Sequence, residues 1–388
     1  MAETGKAVKD VRKLRGLTQR ELAEMSGVSL SLIRKLERGE RDTARMETLR
    51  SLAKALRVPT MRLAGEGEPE GPVSGAVDRW TGVRRALERP PTINALDEPP
   101  TVDGVRSVMA AALPLFKGDR LAQLAVILPR MLRDADTLGV DGRELRARLL
   151  QLSGWLMVQT RQFDAARSAL TRAMDEAPTQ LDRASTAMIV CWLLLRQGKL
   201  DQALDLAVHW ADEVEPRMSR ATPDELATWG WLLLRASAAA VRNGQDGQAS
   251  DTLKLARSAA VAIGKEYTPG EDFLRTFGPT TVKLKSAENA AIGGYPDAVL
   301  RIASTVPLVA MRPTSNNRNR HLLDVADAHT KLGQYSEAFD KLIGIRGASP
   351  EWLPNQAYGR TILGRIIEGR RTLTSDMRSL AAEIHLTL

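Results

Sequence analysis

A chain of 388 residues has room for two or three domains and a sizeable core, and its net charge of +8 is unevenly spread. Residues 1–65 hold 15 Lys and Arg against 8 Asp and Glu, which leaves 40 against 39 for the remainder; the basic balance belongs to the N-terminal sixth, as a nucleic-acid-contacting module on a near-neutral body requires. One cysteine, Cys191, excludes an internal disulfide and fits a reducing cytoplasm, the longest apolar run (Met188 to Leu195) is far short of a membrane span, and the N-terminus holds no apolar stretch that would serve as a signal peptide.

The first stretch is organised around Thr18 to Gly39, TQRELAEMSGVSLSLIRKLERG. Two short helices that cross steeply need a small residue at the crossing and a turn that tolerates positive φ; Ala23 and Gly27 stand where those demands fall. Leu22, Val28, Ile33 and Leu36 supply the buried faces. Thr18 and Glu21 have the capping-box spacing, Ser29 is placed to cap the second helix, and Gly39 closes it. Outside remain Leu30, Ser31, Arg34, Lys35 and Arg38, a basic face suited to a DNA groove. Leu30, Ser31 and Arg34 are expected at base edges, with Leu30 against a thymine methyl and Arg34 on guanine, and Lys35, Arg38 and Arg41 mainly at phosphates. Met46 to Leu56 predicts a fourth helix and Pro59 to Leu63 a short fifth.

From Val8 to Pro59 the chain resembles the XRE family of repressors. The resemblance is carried by Arg12 to Arg15, LTQRELA (Leu17 to Ala23), GVS (Gly27 to Ser29), Ile33, LERG (Leu36 to Gly39) and LAKALRV (Leu52 to Val58). It implies a five-helix DNA-binding domain over residues 1–65, with Gln19 clamping a phosphate at the start of the second helix and Ser29 joining the DNA-binding set.

Residues 66–100 read as a linker. EGEPEGPVSG (Glu66 to Gly75) breaks every helical period, a short amphipathic piece (Val77 to Leu87) follows, and Pro90, Pro91, Pro99 and Pro100 bracket another break. From Thr101 onward apolar residues recur at helical spacing, so the fold class is all-α. A turn pattern repeats: TRQFDAA (Thr160 to Ala166), QGKLDQA (Gln197 to Ala203), NGQDGQA (Asn243 to Ala249), GGYPDA (Gly293 to Ala298) and LGQYSEA (Leu332 to Ala338), with final alanines 37, 46, 49 and 40 residues apart. These are helix hairpins joined by loops of varying length.

The copies resemble tetratricopeptide repeats, through small residues such as Gly154, Ala166 and Ala173, then Ser237, Ala249 and Ala256, then Ala326, Gly333, Tyr335, Ala338 and Pro350. Cys191 takes the small position of the second copy and Thr305 replaces the last alanine of the fourth. A degenerate pair is expected over 101–145 and a capping pair over 351–388, ending in a helix Asp376 to Leu386. The resemblance implies a right-handed solenoid over 101–388 with a concave surface lined by the first helix of each pair. Aligned by turn glycines, Trp155, Trp192 and Trp231 are expected to form an aromatic floor, with Gln159, Arg196, Arg242 and Lys283 around it, and Asn316, Asn317 and Arg320 as peptide clamps; single tryptophans serve equally well as packing residues, and the asparagines as helix caps.

Such a chain is similar to the peptide-sensing regulators of Gram-positive bacteria, in an actinobacterial form. The resemblance implies a homodimer on an inverted-repeat operator in double-stranded DNA and a peptide or small-molecule effector that alters operator binding. The alternative is a protein-protein adaptor. No enzyme, cofactor, metal site or membrane association is expected: His209, His321, His329 and His385 lack ligand spacing, there is no phosphate loop, and Cys191 reads as a buried small residue.

Overall fold

A computed structural model of the chain describes residues 3–14, 17–41, 44–56, 58, 60–63, 78–88, 99–270, 272–307, 315–370 and 372–386. Among them every regular element is a helix, apart from an isolated antiparallel bridge between Tyr267 and Phe277. The expected linker from Glu66 to Gly75 lies outside the described residues.

The N-terminal unit consists of α1 (Glu3–Leu14), α2 (Gln19–Ser26), α3 (Leu30–Arg38), α4 (Met46–Leu56) and α5 (Thr60–Leu63). Its apolar cluster is its own: Val8, Leu22, Ile33, Leu36, Leu49, Leu52 and Leu56 pack together. The local signals act as their chemistry requires. Thr18 and Glu21 form a reciprocal capping box, Gly27 ends α2 at φ 68°, the Ser29 hydroxyl accepts from Leu32 N, and Gly39 ends α3 at φ 74°.

The body is a succession of helix pairs: α7 (Val102–Lys117) with α8 (Leu121–Thr137), α9 (Arg143–Gln159) with α10 (Phe163–Glu176), α11 (Gln180–Arg196) with α12 (Leu200–Glu213), α13 (Pro223–Arg242) with α14 (Asp246–Ile263), α15 (Pro279–Gly293) with α16 (Pro296–Ala303), and α17 (Ser315–Lys331) with α18 (Tyr335–Ala348). One turn joins all six. A residue in the left-handed region, successively Asp119, Arg161, Gly198, Gly244, Gly294 and Gly333, follows the first helix. The next amide then bonds back five residues, as in Arg120 N to Leu115 O and Gln334 N to His329 O. Asp119 and Arg161 take this conformation where the other copies have glycine, which is why the first pair is hard to see in the sequence.

Small residues permit the close pairs. A Cβ on Gly154 would stand 2.6 Å from Leu170, and Ala166, Ala173, Cys191, Ala249, Ala256, Ala326 and Ala338 are buried. Thr305 is a correction: α16 stops at Ala303, and Thr305 is exposed, its hydroxyl bonded to Ile302 O, so it does not pack between helices.

Two further differences have clear causes. The short helix α6 (Thr81–Glu88) belongs to the body, because Trp80, Val83, Ala86 and Leu87 join the apolar cluster of α7 to α11. At the C-terminal end, α19 (Ala357–Gly369) and α20 (Ser375–Glu383) cap the α17–α18 core, and α20 ends short of Leu386. There His385 adopts φ 57° and Leu386 N bonds to Ala381 O, a turn that stops the helix.

Candidate functional site

The outer face of α3 is held by a buried ion pair beneath it. Glu37 is 3% exposed, and its carboxylate accepts from Arg12 at 2.7 and 2.8 Å and from Gln19 Nε2 at 2.8 Å. Arg12 also donates to Leu17 O, so one guanidinium ties α1 to α3 and to the start of α2. Burial alone would raise the Glu37 pKa; the hydrogen bonds from Arg12 and Gln19 outweigh it and hold the carboxyl below its usual range. Gln19, expected at a phosphate, is thus hydrogen-bonded to Glu37 in this structure.

With α3 fixed from below, Ser31, Arg34, Lys35 and Arg38 point outward and are exposed, Arg41 is exposed just beyond, and Leu30 is half-buried. Ser29 is exposed, with its hydroxyl engaged in the cap. Arg38 makes a 3.1 Å surface pair with Glu40, which solvent weakens. The exposed side of α3 thus carries a hydroxyl in its first turn and cations beyond it.

Residues in and just before α4 meet the body. Lys54 lies 3.3 Å from Asp246, Glu47 lies 3.9 Å from Lys331 and Arg45 lies 3.8 Å from Glu368, all partly solvated pairs. Residues of α4, among them Arg50 and Ser51, form one wall of a cavity of about 340 Å3 whose other wall includes Arg196, Arg242, Gly294 and Arg320.

Deeper in the body lies a second cavity of about 250 Å3, and Trp192, Arg196, Trp231, Arg242, Asn316, Asn317 and Arg320 line it together. Three residues expected beside them stand elsewhere. Trp155 is buried behind the wall, 5.7 Å edge-to-face from Phe273 and 6.4 Å from Trp192. Gln159 is buried and accepts from Trp352 Nε1 at 2.8 Å. Lys283 is exposed and reaches Thr305 O at 3.3 Å, outside the cavity. Two of the three expected tryptophans, Trp192 and Trp231, therefore line the cavity; Trp155 is covered by the loop between α14 and α15, where Phe273 and Phe277 are buried and Thr276 O accepts from Trp231 Nε1 at 2.8 Å.

Residues not expected from the sequence add most of the remaining polar and aromatic lining: Arg161, Arg235, Lys285, Glu288, Trp352 and Gln356. A signal for three of them exists in the turn register. Nine residues before Gly244 and Gly294 stand Arg235 and Lys285, and six before Gly294 stands Glu288, the place that Trp192 holds before Gly198.

Cys191 is fully buried, and burial pushes its thiol up to about 12, which makes it unreactive as a nucleophile. No helix among the described residues is long and apolar enough to cross a membrane.

The geometry of α2 and α3 defines a helix-turn-helix unit, and residues 8–63 match the Helix-turn-helix family. The chain is also 39% identical over 59 residues to the uncharacterised HTH-type transcriptional regulator RghRB of Bacillus subtilis (strain 168). That alignment covers 15% of this chain and 42% of the relative, so the chain spans less than half the length of the protein it matches.

Proposed function

We propose that the protein is a cytoplasmic, sequence-specific DNA-binding transcriptional regulator whose body senses a peptide or small molecule and so alters operator binding. In this reading the N-terminal unit is of XRE type, and residues 101–388 form a right-handed tetratricopeptide-like solenoid that dimerises. The six identical turns and the small residues between paired helices support the repeat assignment. The match of residues 8–63, and the name borne by the Bacillus relative, support the DNA-binding assignment.

One observation carries the functional reading. The helix-turn-helix unit leaves the cationic side of α3 exposed while α4, on another side, walls a cavity of the body. A ligand that shifts the body beneath α4 would therefore move the reading helix without covering it. In a dimer that movement changes the separation of two reading helices, which must match half-sites about one helical turn apart.

Selection of the full-length chain on random duplexes tests this. Enrichment of an inverted repeat, with binding that weakens steeply as salt rises, is expected. Enrichment of no sequence would remove the regulator reading and leave a helical interaction protein.

A further inference from the structure

The cavity between Trp192, Trp231 and Arg320 is unusual in charge. Six cationic side chains line it, Arg161, Arg196, Arg235, Arg242, Lys285 and Arg320, against one lining carboxylate, Glu288. Glu288 is shared, accepting from Arg242 at 2.6 Å and from Lys285 at 2.8 Å. Arg320 faces Asp324 at 3.8 Å and lies over the ring of Tyr358. The other three guanidiniums have no carboxylate within ion-pair distance among the described residues. Arg161 Nε, Arg196 Nη2 and Arg235 Nε are shut off from solvent without a hydrogen-bond partner there.

Taking guanidiniums out of water costs several kcal/mol each unless a counter-charge is supplied. The protein offsets part of this for Arg235, whose guanidinium lies 5.1 Å from the Trp231 ring and 5.8 Å from Trp192. Nothing comparable is provided for Arg196: burial and the nearby Arg320, Arg161 and Arg242 bring its pKa down to about 9. Neutral packing residues would fill this space at lower cost, so the arrangement has the form of a site with one sign of charge held ready.

We infer that this chamber binds a compact polyanion, a small molecule with at least two negative charges on phosphoryl or carboxylate groups, held by Arg161, Arg196 and Arg235. The size of the cavity, about 250 Å3, admits a molecule smaller than the drug-sized ligands that fill roughly 300–1,000 Å3, and not a peptide of several residues. Arg196, Arg242 and Arg320 also line the cavity walled by α4. Drawing these side chains toward a bound anion would therefore alter the surface on which the helix-turn-helix unit rests. That consequence, though not the binding itself, rests on the sensing function proposed above.

Calorimetric titration of the full-length chain with pyrophosphate and with citrate, at matched ionic strength, is the test. One molecule per chain with a Kd below about 1 mM is expected; preference for pyrophosphate marks a phosphoryl ligand, and preference for citrate a carboxylate one. Arg196→Gln should weaken the preferred anion about ten- to a hundred-fold while raising the thermal midpoint of the ligand-free protein, since it removes a buried unpaired charge. The exposed Arg130→Gln should change neither. Absence of saturable binding of both anions, or full binding by Arg196→Gln, would overturn the inference. DNA selection by the same protein reads separately: selective DNA binding with no anion binding removes the chamber assignment alone, and anion binding without DNA selectivity removes the regulator assignment alone.

Discussion

Replacing Glu37 with alanine should strongly destabilise the helix-turn-helix unit while leaving the body intact. The side chains of Arg12 and Glu37 are 10% and 2% exposed, so the substitution strands a buried guanidinium and leaves the Gln19 amide without its acceptor. Breaking a buried pair from one side costs about 3–5 kcal/mol. A unit of some 65 residues has a total stability of about 3–10 kcal/mol, so the loss takes from roughly a third to all of it. Hydrogen exchange on the full-length chain is the assay, because it reports each helix separately. Protection in α1, α2 and α3 should fall roughly a hundred- to a few-thousand-fold, with α9 to α14 unchanged. Glu37→Gln, which keeps an acceptor for Arg12 and gives up the charge, should fall between the two. The same pair makes the unit acid-labile. Because the Glu37 pKa is depressed in the folded state, its contribution is complete above the unfolded value of about 4.3 and disappears as pH drops through the folded one. Unchanged protection in α1 to α3 of Glu37→Ala would show that the ion pair does not hold the reading helix.

A Cβ on Gly230 would stand 2.1 Å from the Phe277 ring, which is fully buried. Gly230→Ala should therefore cost about 1–3 kcal/mol by overpacking and speed proteolysis within residues 264–278; an unchanged cleavage rate would refute the packing. His321, 2% exposed, is held by burial and by Lys285 at about 4 against the usual 6.5. The unfolded chain binds that proton first, so the contribution is complete above pH 6.5 and of order 3 kcal/mol is lost on descending to pH 4. Denaturant titrations should show this slope in the wild type and a flatter one in His321→Leu; equal slopes would contradict it.

The helix-turn-helix unit was legible because its signals are local. Thr18, Ser29, Gly27 and Gly39 act on backbone within four residues of themselves, and Ile33 and Leu36 fall on one helical face. The chamber was half legible. Trp192, Arg196, Trp231, Arg242 and Arg320 follow from the turn register, but α15 ends in two adjacent glycines, so the register points to Lys283 where the cavity has Lys285. Two residues on a helix are about 200° of rotation, enough to exchange the inner face for the outer. Trp155 departs from its expected place for a different reason: the covering loop, with Phe273 and Phe277, carries no periodicity that betrays where it folds back. The ion pair of Arg12 with Glu37 is not legible because 25 residues separate the partners, and no local periodicity links them.

The most direct test of the account is the affinity of the full-length chain for its selected duplex, measured by fluorescence anisotropy against Ser31→Ala, Arg34→Ala. Both side chains are exposed on α3, so the double variant should stay folded. It is expected to lose preference for the selected sequence by about 1–3 kcal/mol per lost base contact while still binding duplexes non-selectively at low salt. Full retention of sequence preference would contradict the assignment of α3 as the reading helix, and with it the regulator proposed here.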